Sequence, residues 1–234
     1  MLGIFDSGVG GLTALGEIRK IAPSANLCFL ADRANAPYGT KNKSELIRLV
    51  SEDIDFLRRE GCDRILMACC TASAMHKYLP EELRKISFPI IPPAAKEAAI
   101  VTRSGRVGVI ATEATVKSRE FARELYKYPE IKSVYQLPAQ ELVGLVESGT
   151  ADGRVSLAAR ERIASLLVPI KRAGVDTLIM GCTHFPHLEA TIAGILAGVT
   201  LINPSLVGAR DFTKKIRIYE KGVTRYFDTS SPGG

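Results

Sequence analysis

Long apolar runs are missing from this 234-residue chain. The first residues read MLGIFDSG, without a basic segment leading into an apolar one, and no later stretch approaches the roughly 18 apolar residues of a membrane span. The expectation is a cytoplasmic protein that does not enter the membrane. Cysteine is sparse: Cys28, Cys62, Cys69, Cys70 and Cys182 make an odd set of 5, without the close pairing of a zinc ribbon or a secreted disulfide framework. Reduced thiols follow. His184 and His187 stand near Cys182, but no second ligand cluster accompanies them, so no metal is expected. The net charge is +6, yet the basic residues are dispersed among 25 acidic ones and are not interleaved with the 7 Tyr and 8 Phe. Such a pattern excludes nucleic acid as the expected partner.

What is present is ordinary globular material, 46% hydrophobic and 24% charged, enough for one large domain or two of about 100 residues. Short β-rich runs at 2–5, 26–31, 64–68, 88–91, 106–111, 131–137, 177–181 and 199–202 alternate with helical periods. Over 154–174, Val155, Ala159, Ile163, Leu166, Leu167 and Ile170 fall on one stripe, which predicts an amphipathic helix. Alternation of this kind specifies parallel sheets with crossover helices. The segment 216–229 reads instead as a hairpin turning at Lys221-Gly222.

An internal repeat organises the chain. GCDRILMAC (61–69) matches GVDTLIMGC (174–182), an offset of 113, and LGIFDSGVGGLT (2–13) matches VGVIATEATVKS (107–118), an offset of 105. The fold expected is α/β, with two similar doubly wound parallel-sheet domains related by a pseudo-twofold axis and an active site in the cleft between them. Residues 1–95 plus 206–234 would form one domain and 96–205 the other. Ligands of such sheets bind off the carboxyl ends of the strands, and there the repeat sets Cys69 and Cys182.

A single cysteine at a strand end is commonly a small buried hydrophobe. A symmetric pair, each followed by Thr, Ser or His and a helix start, suggests thiolates. Joined as a disulfide, the two would fill the cleft. Held apart by a ligand, one thiolate can take a proton from a weakly acidic carbon while the other thiol returns one to the opposite face, inverting the centre without a cofactor. The segment DSGVGGLT (6–13) ends in Thr where a dinucleotide fingerprint needs its third Gly. Its free N–H groups and the Ser7 hydroxyl suit a carboxylate, with Asp6 placed to assist a thiol.

GIFDSGVGGLT (3–13), APYGTK (36–41), ACCTASA (68–74), GVIATEATVKS (108–118), LVESG (145–149) and GCTHFP (181–186) together resemble, in order and spacing, the motifs of the cofactor-independent glutamate racemases. The resemblance covers residues 2 to 210. It implies that Cys69 and Cys182 are the catalytic bases, Cys69 for the D-enantiomer and Cys182 for the L-enantiomer, assisted by Asp6 and His184. It further implies that Ser7, Tyr38, Gly39, Thr71, Thr112, Thr115 and Thr183 hold the amino acid, that Glu147 borders the site, and that D-glutamate feeds peptidoglycan synthesis by a homodimer. Cys70 stands where that family has asparagine, and a thiol is a weaker hydrogen-bonding group than a carboxamide. The alternatives are an aspartate racemase or related isomerase, or a weakened relative acting as a binding protein.

Overall fold

The computed structural model describes residues 1–147, 155–215 and 222–230. Each apolar run named above is a strand: β1 (Leu2–Asp6), β2 (Leu27–Ala31), β3 (Arg64–Met67), β4 (Ser87–Pro89), β5 (Arg106–Ala111), β6 (Ser133–Pro138), β7 (Thr177–Gly181) and β8 (Thr200–Ile202), followed by β9 (Thr224–Asp228). One sheet has the order β4-β3-β1-β2-β9 and the other β6-β5-β7-β8, and every pairing in both is parallel. β1, β2 and β7 are buried along their whole length, as strands covered on both faces must be.

The two sheets wind alike. In the first, the chain starts at β1, steps outward to β2 and then crosses back to β3; in the second, β5, β6 and β7 repeat those moves. Each sheet therefore reverses direction once, between β1 and β3 and between β5 and β7, and the crevice of a doubly wound sheet opens at that point. The cores of the sheets are not independent. A continuous apolar cluster runs from Ile4 and Phe5 through Ala94, Ala95 and Ala98 to Val107, Val109 and Ile179. Those alanines lie on the helix Ile91–Val101, which opens with prolines in its first turn, where no intrahelical N–H is needed. Small side chains let that helix approach closely on both sides. A second cluster, including Leu142, Ile163, Leu178 and Phe185, fills the other face of the second sheet.

Two expectations change. The predicted helix over 154–174 is two, Leu157–Leu166 and Val168–Arg172, because Pro169 has no N–H to continue the first. Ile163, Leu167 and Ile170 of its stripe are buried as expected, and residue 154 lies outside the described residues. The first arm of the predicted hairpin, 216–221, also lies outside them. The second arm is β9, which extends the first sheet by pairing parallel to β2 along Leu27↔Thr224 to Ala31↔Asp228. Edge hydrogen bonds left free by β2 decide that placement, and strand periodicity does not reveal which edge is open.

Candidate active site

The carboxyl ends of β1, β3, β5 and β7 converge on one pocket of about 370 Å³, in the size range of small-molecule sites. Cys69 follows β3 and Cys182 follows β7, and both thiols line it. Cys69 Sγ lies 3.5 Å from Ser7 Oγ. Cys182 Sγ lies 3.6 Å from His184 Nδ1, and the other ring nitrogen of that histidine is 3.3 Å from Glu147 Oε1.

Helix starts do not make these groups thiolates by themselves. The helix after Cys69 is a single turn, Cys70–Ser73, too short for a strong dipole. Burial pushes Cys69 up to about 11, with Asp6 adding to it, while N–H groups at Ala72 and Ser7 and the Ser7 hydroxyl act in the opposite direction. Burial likewise raises Cys182, and nearby Cys69 and Asp6 reinforce it against a backbone bond at His184. Desolvation outweighs the helix-start effect expected from sequence.

Asp6 is fully buried behind the pocket. Its Oδ2 accepts from the N–H of Gly8 at 3.2 Å and of Gly11 at 3.1 Å, and Thr183 Oγ1 donates to Oδ1 at 3.3 Å. Two of the glycine-rich N–H groups that the sequence offers to a ligand carboxylate, those of Gly8 and Gly11, are thus taken by the chain's own. Burial raises the Asp6 carboxyl above its ordinary range, opposed by His184 and by these hydrogen bonds. Gly10 is needed here: a Cβ would come within 2.5 Å of Thr183 Oγ1. The two lobes also meet through three hydroxyls, with Thr71 Oγ1 3.0 Å from Thr112 and 3.1 Å from Thr115, and those two 2.8 Å apart.

The chain that carries this pocket matches known proteins over most of its length. Residues 17–211 fit the model of the Asp/Glu/Hydantoin racemase family. A glutamate racemase of Pseudomonas aeruginosa is 41% identical over 91% of this chain and 80% of its own length, and one of Desulforudis audaxviator is 36% identical over 99% and 82%. The chain belongs to the glutamate racemase family. The crystal structure of the Francisella tularensis glutamate racemase, in complex with D-glutamate, superposes with a TM-score of 0.88 at 28% identity, covering 99% of this chain and 89% of that one.

Among glutamate racemase features read from sequence, Ser7, Tyr38, Gly39, Cys69, Cys70, Thr71, Thr112, Glu147, Cys182, Thr183 and His184 all line the pocket. Asp6 and Thr115 sit behind it at 0% exposure and reach it through Thr183, Thr71 and Thr112. The Tyr38 hydroxyl is engaged by two buried carboxyl groups, Asp32 and Asp53. Cys70 is buried, and desolvation pushes its thiol well up, which keeps it neutral.

Sequence reading missed Gln140, Val143 and Arg33, which also line the pocket. Gln140, Val143 and Glu147 recur at three- and four-residue steps along the helix Glu141–Glu147 and the residue before it, so one helix face supplies them. That spacing was the available signal. Gln140 Oε1 is buried without a partner among the described residues. Arg33 carries the only Lys or Arg side chain among the described lining residues and is engaged by Asp228 at 2.9 Å.

Proposed function

We propose that this protein interconverts L- and D-glutamate by two proton transfers at the α-carbon, one at each thiol. The observation that carries the reading is the placement of Cys69 and Cys182 at equivalent strand ends on one small pocket. As a thiolate, Cys69 takes the α-proton of D-glutamate and Cys182 returns one to the opposite face; the reverse assignment serves L-glutamate. The substrate's ammonium group brings positive charge between two thiols that burial holds protonated, which favours ionising one of them. Ser7 supports the Cys69 sulfur, and His184, tied to Glu147, supports Cys182. Asp6 acts through its hydrogen bonds to Gly8, Gly11 and Thr183.

The threonine hydroxyls, the main chain at Tyr38–Gly39 and the Gln140 amide supply neutral donors to the two carboxylates. The relatives favour glutamate over aspartate as the substrate. The reading extends to a cytoplasmic homodimer that supplies D-glutamate to peptidoglycan, with no nucleic-acid partner. No helix among the described residues is long and apolar enough to cross a membrane.

The test is incubation with each enantiomer of glutamate and of aspartate in deuterated water, without added pyridoxal phosphate or metal. Optical rotation and α-hydrogen loss by NMR should show both glutamate enantiomers converging on a racemate with solvent deuterium at the α-carbon. Aspartate turnover exceeding that of glutamate would transfer the reading to an aspartate racemase, and binding without exchange would reduce the protein to a binding relative.

A further inference from the structure

Behind the pocket wall lies a cluster that the proton transfers do not use. Tyr38 Oη is 2.5 Å from Asp32 Oδ2 and 2.8 Å from Asp53 Oδ2, and the three residues are 1%, 1% and 6% exposed. A phenol carries one hydrogen and can donate to only one of two carboxyl groups. If both were ionised, one carboxylate oxygen would face a phenol lone pair in a site closed to water, an unpaired charge that proteins avoid. Asp32 is the better supplied acceptor, because Asn35 Nδ2 and Thr229 Oγ1 also donate to its Oδ1, at 3.0 and 2.8 Å. Asp53 meets no donor other than the phenol among the described residues.

We propose that Asp53 is a positioning residue: its carboxyl group keeps a proton and donates it to Tyr38 Oη, Tyr38 donates onward to Asp32, and the chain of hydrogen bonds fixes the Tyr38–Gly39 wall of the amino-acid site. The role of that wall rests on the function proposed above. The wall has little freedom to shift unnoticed, since a Cβ at Gly39 would come within 2.7 Å of Thr112 Cβ. Asp53 projects from the helix Lys43–Arg59. The titratable and charged groups facing it are Tyr38 and Asp32 from the segment after β2, Asp6 from the end of β1, and Glu52 on its own helix. Burial first and the charge at Asp32 second push the Asp53 carboxyl well above the carboxylate range, and the other two acids add to this. Removal of the proton at alkaline pH sets two like charges on either side of one phenol oxygen and loosens the wall.

The test compares wild type with Asp53→Asn, whose amide N–H replaces the acid proton at the same place, and with Asp53→Leu, which has no donor. The infrared difference spectrum between wild type and D53N at pH 7 should contain the carbonyl band of a protonated carboxyl group. Wild type should show a rise of KM at alkaline pH; D53N should keep the KM of both glutamate enantiomers within about twofold of wild type at pH 7 and should lack that rise. D53L should raise KM about tenfold with kcat within about threefold, the size of one lost hydrogen bond. Absence of the band, or a D53N KM raised as far as that of D53L, overturns the proposal. A wild type that does not racemise glutamate overturns the functional reading and the positioning role together; the band, which needs no substrate, still reports the proton, so the two failures are distinguishable.

Discussion

The two halves of the site share a backbone plan and differ in the company each thiol keeps. Cys69, after β3, has a hydroxyl beside it, Ser7 Oγ at 3.5 Å, with the buried Asp6 carboxyl nearby. Cys182, after β7, has an imidazole, His184 Nδ1 at 3.6 Å, which is itself tied to Glu147. A hydroxyl stabilises a thiolate by one hydrogen bond, whereas an imidazole can also exchange a proton with it. The repeat thus places two equivalent sulfurs, with Asp6 acting on both, and the side chain in contact is a hydroxyl for one and an imidazole for the other.

The largest expected effect tests the equivalence itself. Cys69→Ala and Cys182→Ala should each lower interconversion by about 10³-fold or more, since either change removes one of two required proton carriers. Polarimetry together with deuterium wash-in measures this, and substantial racemisation by either variant would break the pairing. His184→Ala should then lower kcat by about 10²-fold and Ser7→Ala by about tenfold. Because L- and D-glutamate are equal in free energy, kcat/KM must fall alike in both directions. The asymmetry between the halves should show instead in the deuterium isotope effects on the two enantiomers, and equal isotope effects in H184A would erase the distinction between the two thiols' surroundings.

Smaller effects sharpen the picture. Cys70→Asn should tighten glutamate binding about tenfold by restoring a strong hydrogen-bonding group to the pocket, whereas Cys70→Ala should alter turnover far less than Cys69→Ala; calorimetric titration and initial rates decide both. The pH dependence should differ least but remain readable. Because burial raises Cys69 from 9.0 to about 11, kcat/KM of Asp53→Asn, which is free of the alkaline rise in KM, should climb through the alkaline range as the free protein's thiol ionises. The same shift acts on stability with the opposite sense. Between about 9 and about 11 the unfolded chain has lost this proton and the folded chain has not, so stability falls with rising pH, by about 2 kcal/mol from Cys69. Denaturant melts of wild type and C69A across that window should converge as the pH rises, and parallel curves would contradict the assignment of Cys69 as a buried neutral thiol.

Much of this was open to inspection in the primary structure. Eight strands were readable because each is a short apolar run with turn residues at its ends, and the central ones, covered on both faces, are buried throughout. The site was readable because a doubly wound sheet puts its crevice at the strand carboxyl ends, and the repeat set Cys69 and Cys182 at two of them. Gln140 was readable only as part of one helix face shared with Val143 and Glu147; that the other lobe closes over that face was not. The parallel placement of β9 was not either, because a strand's alternation carries no record of its partner's direction. The Asp32–Tyr38–Asp53 group escaped notice for the same reason: its members are 6 and 15 residues apart, and only the packing of the helix Lys43–Arg59 on β1 and β2 brings them together.

By itself the amino-acid order determined the strands, their repetition and the chemistry-bearing residues at their ends, because those follow from local periodicity and from where a chain reverses. Tertiary structure alone decided how each group behaves. Whether a thiol is a base or an acid, whether a glycine-rich turn greets a ligand or its own aspartate, and which carboxyl keeps its proton all depend on desolvation and on neighbours distant along the chain, and both come into being only when the sheets close on each other.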